Sequence, residues 1–150
     1  ILLGQNQEDT GMPQIDLEME KRVQKACYDA IQIGVVKSAH DLSEGGLSIA
    51  LAECAILSGK GATINLSDNI SNGSLLFGEA QSRIIITIAA ENIFPLSDIA
   101  MLYKVPCSII GKVGGKALNI QKKKKKLINL PVKKLKDTYY SAIPDLLKKR

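Results

Sequence analysis

A chain of 150 residues, 45% of them hydrophobic, can bury one sizeable core and is too short for two full-sized domains. Its net charge of +5 hides an asymmetry: residues 1–115 hold 8 lysines and arginines against 13 acids, and residues 116–150 hold 12 against 2. No apolar run reaches the roughly 20 residues of a membrane-spanning helix, three cysteines without C-x-x-C spacing suggest neither a disulfide framework nor a zinc site, and the single histidine, His40, excludes a multi-histidine metal centre.

The apolar start Ile1-Leu2-Leu3 is too short for a signal peptide and has no basic leader, so a soluble, cytoplasmic protein with reduced, buried cysteines is expected. Residues 1–15 read as an extended piece and linker remnant. Residues 16–33 place Met19, Val23, Ala26, Cys27, Ala30 and Ile31 at spacings of three and four, the pattern of an amphipathic helix, with Asp16 to cap it and Gly34 to end it. An extended segment over 35–39 leads to a second helix over 45–57, whose alanines suit close packing on a sheet before Ser58-Gly59 stops it. A strand over 62–66, a polar loop over 67–74 and a turn at 75–78 follow. The β-branched run Ile84-Ile85-Ile86 with Ile88 marks a buried strand over 83–90. A helix over 96–103 starts near Pro95 or Ser97, and a strand covers 108–113. Beyond Gly114-Gly115, two short apolar segments at 117–120 and 127–129 flank five lysines, Lys122 to Lys126, as neighbouring strands would. Pro131 opens a last helix with Val132, Leu135, Tyr139 and Ala142 on one side, kinked or interrupted by Pro144. This order predicts an α+β fold with helices packed on a mixed sheet.

Two polar segments carry the candidate chemistry. In His40-Asp41-Leu42-Ser43-Glu44-Gly45-Gly46-Leu47 a glycine-bearing turn runs into a helix, whose first N–H groups lack intrahelical partners and point along the positive end of the dipole. One reading seats a phosphate there, with Gly45 and Gly46 letting it approach the backbone; the other makes the segment a helix start, Asp41 and Glu44 forming a capping pair or Ser43 capping instead, with the glycines serving close packing. The second segment, Glu79 to Arg83, gathers polar groups before the buried strand. Arg83 can grip a phosphate and Glu79 a magnesium ion or a hydroxyl, or the two can pair with each other. If both segments face one cleft they form a single ligand site. The lysine run suits a solvated hairpin better than a nucleic-acid surface, for it carries no aromatic residue and no arginine.

The run from His40 to Glu53, followed by Leu76-Phe77-Gly78-Glu79-Ala80-Gln81-Ser82-Arg83, resembles the large subunit of phosphoribosylformylglycinamidine synthase. Support comes from Val36-Lys37-Ser38-Ala39, Asp16-Leu17-Glu18 and Tyr140-Ser141-Ala142-Ile143-Pro144. The resemblance covers most of the chain in the order of that enzyme's last domain, in its small bacterial form. It implies residues 1–150 are a single C-terminal domain of a larger synthetase subunit, with the fold of the aminoimidazole ribonucleotide synthase C-terminal domain. It further implies a ligase of purine biosynthesis that uses ATP and Mg2+ with glutamine-derived ammonia, beside a glutaminase subunit and a small accessory subunit. The family's magnesium ligands and catalytic histidine have no counterpart here, so no catalytic or metal-binding residue is expected and the domain alone would be inactive. Ser43, Gly45, Gly46 and Arg83 become candidates for phosphate or nucleotide contact, supported by Asp41 and Glu79. The alternative is an interaction domain that docks on the catalytic half or the glutaminase and borders only an auxiliary nucleotide site. The family's Gly-Gly-Ser-Glu-Tyr linker motif is absent from residues 5–13.

Overall fold

The computed structural model describes residues 1–4 and 15–148. In chain order the elements are β1 (Leu2–Gly4), α1 (Leu17–Gln32), β2 (Val36–Asp41), α2 (Gly46–Ser58), β3 (Ala62–Leu66), α3 (Asn72–Phe77) and β4 (Arg83–Ile88). A 3-10 turn then precedes α4 (Ile93–Leu102), β5 (Cys107–Ser108), β6 (Gly111–Val113), β7 (Ala117–Lys122), β8 (Lys125–Pro131) and α5 (Val132–Lys148). The α+β expectation holds. The strands form two four-stranded sheets, one in each of two compact units, Ile1–Ala50 with Asp68–Ile110, and Leu51–Ser67 with Gly111–Arg150.

In the first unit the sheet order is β2-β4-β1-β5, antiparallel throughout. Helix α1 begins where the Asp16 carboxylate accepts the Met19 N–H at 2.9 Å and Glu18 and Glu20 sit in the first turn, at the positive end of the dipole. Its stripe of Val23, Ala26, Cys27 and Ala30 packs with Leu3 of β1, Ile86 of β4 and Leu96 of α4, and Leu3 and Ile86 are wholly buried. Residues 2–4, assigned to a linker from sequence, are therefore an interior strand: Leu3 pairs with Ile84 on one side and Cys107 on the other. Three residues are too few to show an alternation, so only their partners reveal them. Residues 5–13, where the shortened linker was read, lie outside the described residues.

The second unit has sheet order β6-β3-β7-β8, with β3 and β7 parallel and the other pairs antiparallel. Strand β3 alternates strictly, burying Ala62, Ile64 and Leu66. The β7–β8 hairpin turns at Lys123 and Lys124, both in the left-handed region at φ 47° and 68°. It extends the two expected strands into the lysine run. Helix α5 continues through Pro144 to Lys148 without interruption.

Four further expectations change. The strand read over 108–113 divides, β5 joining the first sheet and β6 the second. Gly111 permits this, because a Cβ there would stand 2.2 Å from the Thr63 carbonyl oxygen. The polar loop over 67–74 contains the start of α3, where the Ser71 hydroxyl accepts the Ser74 N–H at 3.1 Å. Helix α4 starts at Ile93, placing Pro95 in the first turn, where a missing N–H leaves no intrahelical bond unmade. Cys27 is buried as expected, but Cys54 is only half-buried and Cys107 is exposed.

Candidate functional site

The two polar segments meet. Strand β2 ends at Asp41, paired with Ile84 of β4, and the Leu42 N–H continues the ladder to the Arg83 carbonyl at 3.0 Å. The chain then turns: Ser43 O accepts the Gly46 N–H at 3.1 Å, and Gly45 and Gly46 adopt φ 77° and 62°. Helix α2 starts only at Gly46, so Asp41 is a strand residue and not the cap of a D-x-x-E pattern. Pairing with β4 commits its backbone before the helix begins.

Both glycines have packing reasons to lack a side chain. A Cβ at Gly46 would lie 2.6 Å from the Gly78 carbonyl oxygen, and one at Gly45 would lie 2.3 Å from Ile49 Cγ1. One turn into α2, the buried Ser48 hydroxyl donates to Leu76 O at 2.9 Å, tying α2 to α3. The Gly45 N–H donates to Glu79 Oε1 at 2.8 Å across 34 positions of sequence, a side-chain link between the segments beside the Leu42–Arg83 backbone bond.

The cleft between them has a volume of about 500 Å³ and is lined by Asp41, Ser43 and Glu44 from the first segment and by Glu79, Gln81, Ser82 and Arg83 from the second, with Glu20 and Gln24 of α1 closing one side. Of the named candidates, Ser43, Arg83, Asp41 and Glu79 line it together, while Gly45 and Gly46 form the turn behind. Arg83 is 4% exposed. Burial lowers its pKa from the ordinary value, and the charge of Asp68 acts in the opposite sense.

Glu20, with Gln24 beside it, is a lining residue that sequence reasoning missed. It lies in the first turn of α1 and accepts the Ser82 hydroxyl through Oε2 at 2.6 Å and the Gln24 amide through Oε1 at 2.6 Å. Its sole sequence signal is a place off the apolar stripe, which every solvated acid on that helix shares.

Glu20, Asp41, Glu44 and Glu79 surround one arginine, so the cleft carries an acidic surplus. The Gly45 and Gly46 N–H groups that would cradle a phosphate are engaged by Glu79 and by Ser43 O. Chemically the cleft offers acceptors for hydroxyl and amino groups, one hydroxyl at Ser43 and one deep cation for an anion's edge. Among the described residues no three His, Cys, Asp or Glu side chains gather as a candidate metal cluster. Nor is any helix among them long and apolar enough to cross a membrane.

This fold and glycine turn belong to a defined class. Residues 2–123 match the family model described as AIR synthase related protein, C-terminal domain, and the chain belongs to that family. Among curated relatives, it is 37% identical over 158 residues to the phosphoribosylformylglycinamidine synthase subunit PurL of Thermoanaerobacter sp. (strain X514), covering 95% of this chain and 22% of that protein. With PurL of a Synechocystis strain it shares 43% over 140 residues, 91% of this chain and 18% of the relative. The chain thus spans about a fifth of the length of the curated relatives it matches. Among solved structures, Thermotoga maritima PurL complexed with ATP superposes with a TM-score of 0.81 at 20% identity, over 90% of this chain and 25% of that one. The same protein complexed with FGAR gives 0.78 at 18% identity, over 90% and 27%. At these identities the likeness establishes the fold.

Proposed function

We propose that this chain is the C-terminal domain of a phosphoribosylformylglycinamidine synthase subunit of the PurL type. The subunit converts formylglycinamide ribonucleotide, ATP and ammonia into the amidine, and residues 1–150 act as one domain of it. The observation that carries this reading is identity of 37% and 43% over more than nine-tenths of the chain with two PurL subunits. ATP, with Mg2+ held by residues outside this chain, supplies the phosphoryl group that activates the formamide oxygen for displacement by ammonia. The ammonia comes from a glutaminase partner, and a small accessory subunit completes a cytoplasmic assembly. The solved structure of PurLQS from T. maritima is consistent with that partnership.

The role of this chain is to present one wall of a ligand site. Ser43 and Arg83 contact the nucleotide or the phosphate ester, Glu79 and Asp41 orient donors, and Gly45 and Gly46 hold the turn behind them. A second reading has its own support: the internally engaged N–H groups of Gly45 and Gly46 favour a motif kept for folding, in a domain that docks on the catalytic half.

The deciding experiment follows ammonia-dependent ADP release by the complete subunit with formylglycinamide ribonucleotide, comparing the native sequence with Ser43→Ala and Arg83→Lys at equal folded content. A raised KM for ATP or the ribonucleotide supports contact with the reacting site. Native kinetics in both variants favour the docking reading, and an inactive native subunit overturns the ligase assignment.

A further inference from the structure

We propose that Glu20 is a positioning residue, whose side chain pins Ser82 and so sets the segment 79–83 that carries Glu79 and Arg83 into the cleft. Ser82 stands in the left-handed region at φ 58° with 6% of its surface exposed. That conformation is unfavourable for a residue with a Cβ and persists only where its surroundings hold it. Two holds are present. Its carbonyl oxygen is pressed against β1, where a Cβ at Gly4 would stand 1.7 Å away. Its hydroxyl donates to Glu20 Oε2 at 2.6 Å, and the Gln24 amide fixes the other oxygen of that carboxylate.

The consequence lies in the neighbouring residues. Ser82 immediately precedes Arg83, whose carbonyl oxygen accepts the Leu42 N–H within the first polar segment. At its other end the segment is fastened by Glu79 to the Gly45 N–H. Segment 79–83 is therefore held at both ends, and one of the two holds comes from a helix 62 positions earlier in sequence. Without Glu20, Ser82 loses its side-chain hold and the segment from Glu79 to Ser82 loosens, which shifts Glu79 relative to Ser43 and Arg83. The β4 ladder, in which Arg83 pairs with Gly4 and its carbonyl oxygen accepts the Leu42 N–H, stays in place. The sheet survives while the cleft wall loosens, which separates a positioning role from a structural one.

The kinetic part rests on the ligase reading, and the test separates the two. In the complete subunit, Glu20→Ala, Glu20→Gln and Tyr103→Phe are compared by KM and kcat of ammonia-dependent ADP release and by hydrogen exchange of the amides of residues 79–82. Glu20→Gln keeps an acceptor for Ser82 and meets the Gln24 amide after that group flips. Tyr103→Phe removes a hydrogen bond made to Asp29 of the same helix, away from the cleft. The expected result is a rise of about tenfold in KM for ATP or the ribonucleotide with Glu20→Ala, faster exchange across 79–82, and near-native behaviour of the other two. Native KM and native exchange in Glu20→Ala overturn the proposal, as does an equal effect from Tyr103→Phe. If the native subunit releases no ADP the ligase reading falls; unchanged exchange in Glu20→Ala still refutes the positioning role, and faster exchange still upholds it.

Discussion

Replacing Gly46 with alanine tests whether the glycine pair serves packing or ligand approach. At φ 62° an alanine sits in the left-handed region, which costs about 1–2 kcal/mol. Its Cβ would also stand 2.6 Å from Gly78 O and 2.8 Å from Phe77 C, so the end of α3 must retreat by about 0.8 Å, from 2.6 to 3.4 Å, to restore ordinary contact. Those atoms are backbone and cannot swing aside, and overpacking of this kind adds about 1–3 kcal/mol. The retreat also pulls on the neighbouring Glu79 and its bond to Gly45. Gly34 is the matched control: φ is 76° and nothing lies within 4 Å of its Cβ position. Gly34→Ala therefore carries only the conformational cost, offset in part by about 0.4–1 kcal/mol of lost freedom in the unfolded chain. In urea unfolding followed by far-UV circular dichroism, Gly46→Ala is expected to lose about 1–3 kcal/mol more than Gly34→Ala. Equal losses would refute the close-approach argument. A Gly46→Ala protein of native stability that has lost ATP binding would instead assign the glycine to the ligand.

The β7–β8 turn stores backbone strain at Lys123 and Lys124, so Lys123→Asn combined with Lys124→Gly, the pair favoured in tight two-residue hairpins, is expected to raise stability by about 1 kcal/mol; a loss in urea unfolding would mean the lysine side chains contribute more than the strain removes. The Lys25 ammonium, at 2.8 Å, and the Tyr103 hydroxyl hold the Asp29 carboxyl below its ordinary value of 3.8. Because the folded pKa is the lower one, this contribution is complete above pH 3.8 and is lost as pH falls through the folded pKa. Asp29→Asn should flatten that stretch of the stability–pH curve, and a stability gain on acidification in the native protein would contradict the sign.

The elements legible in the amino-acid order are those that local physics specifies. The stripe Val23, Ala26, Cys27 and Ala30 with its Asp16 cap makes α1 wherever its buried face later packs. The run Ile84-Ile85-Ile86 with Ile88 is too short and too β-branched for a helix, and two apolar segments around a lysine turn form β7 and β8. The residues that meet in the cleft were also mostly visible, because Ser43, Glu79 and Arg83 stand out as polar groups beside glycine turns. Local pattern does not encode partners separated by long stretches of chain. Leu2–Gly4 becomes a strand only because β4 and β5 flank it, and 108–113 divides only because each end finds a different sheet. The capping alternative for Asp41 is open in the sequence because its own neighbours resemble a cap, while the pairing with Ile84 that excludes it lies far along the chain. Gly45 and Gly46 look alike in a packing turn and in a phosphate turn; the nearby Ile49 side chain and Gly78 backbone give them packing roles. Glu20 carries no mark on its helix until folding brings Ser82 to it. Propensity and periodicity act over a few residues, whereas bonds across 34 and 62 positions exist only after the sheet has closed.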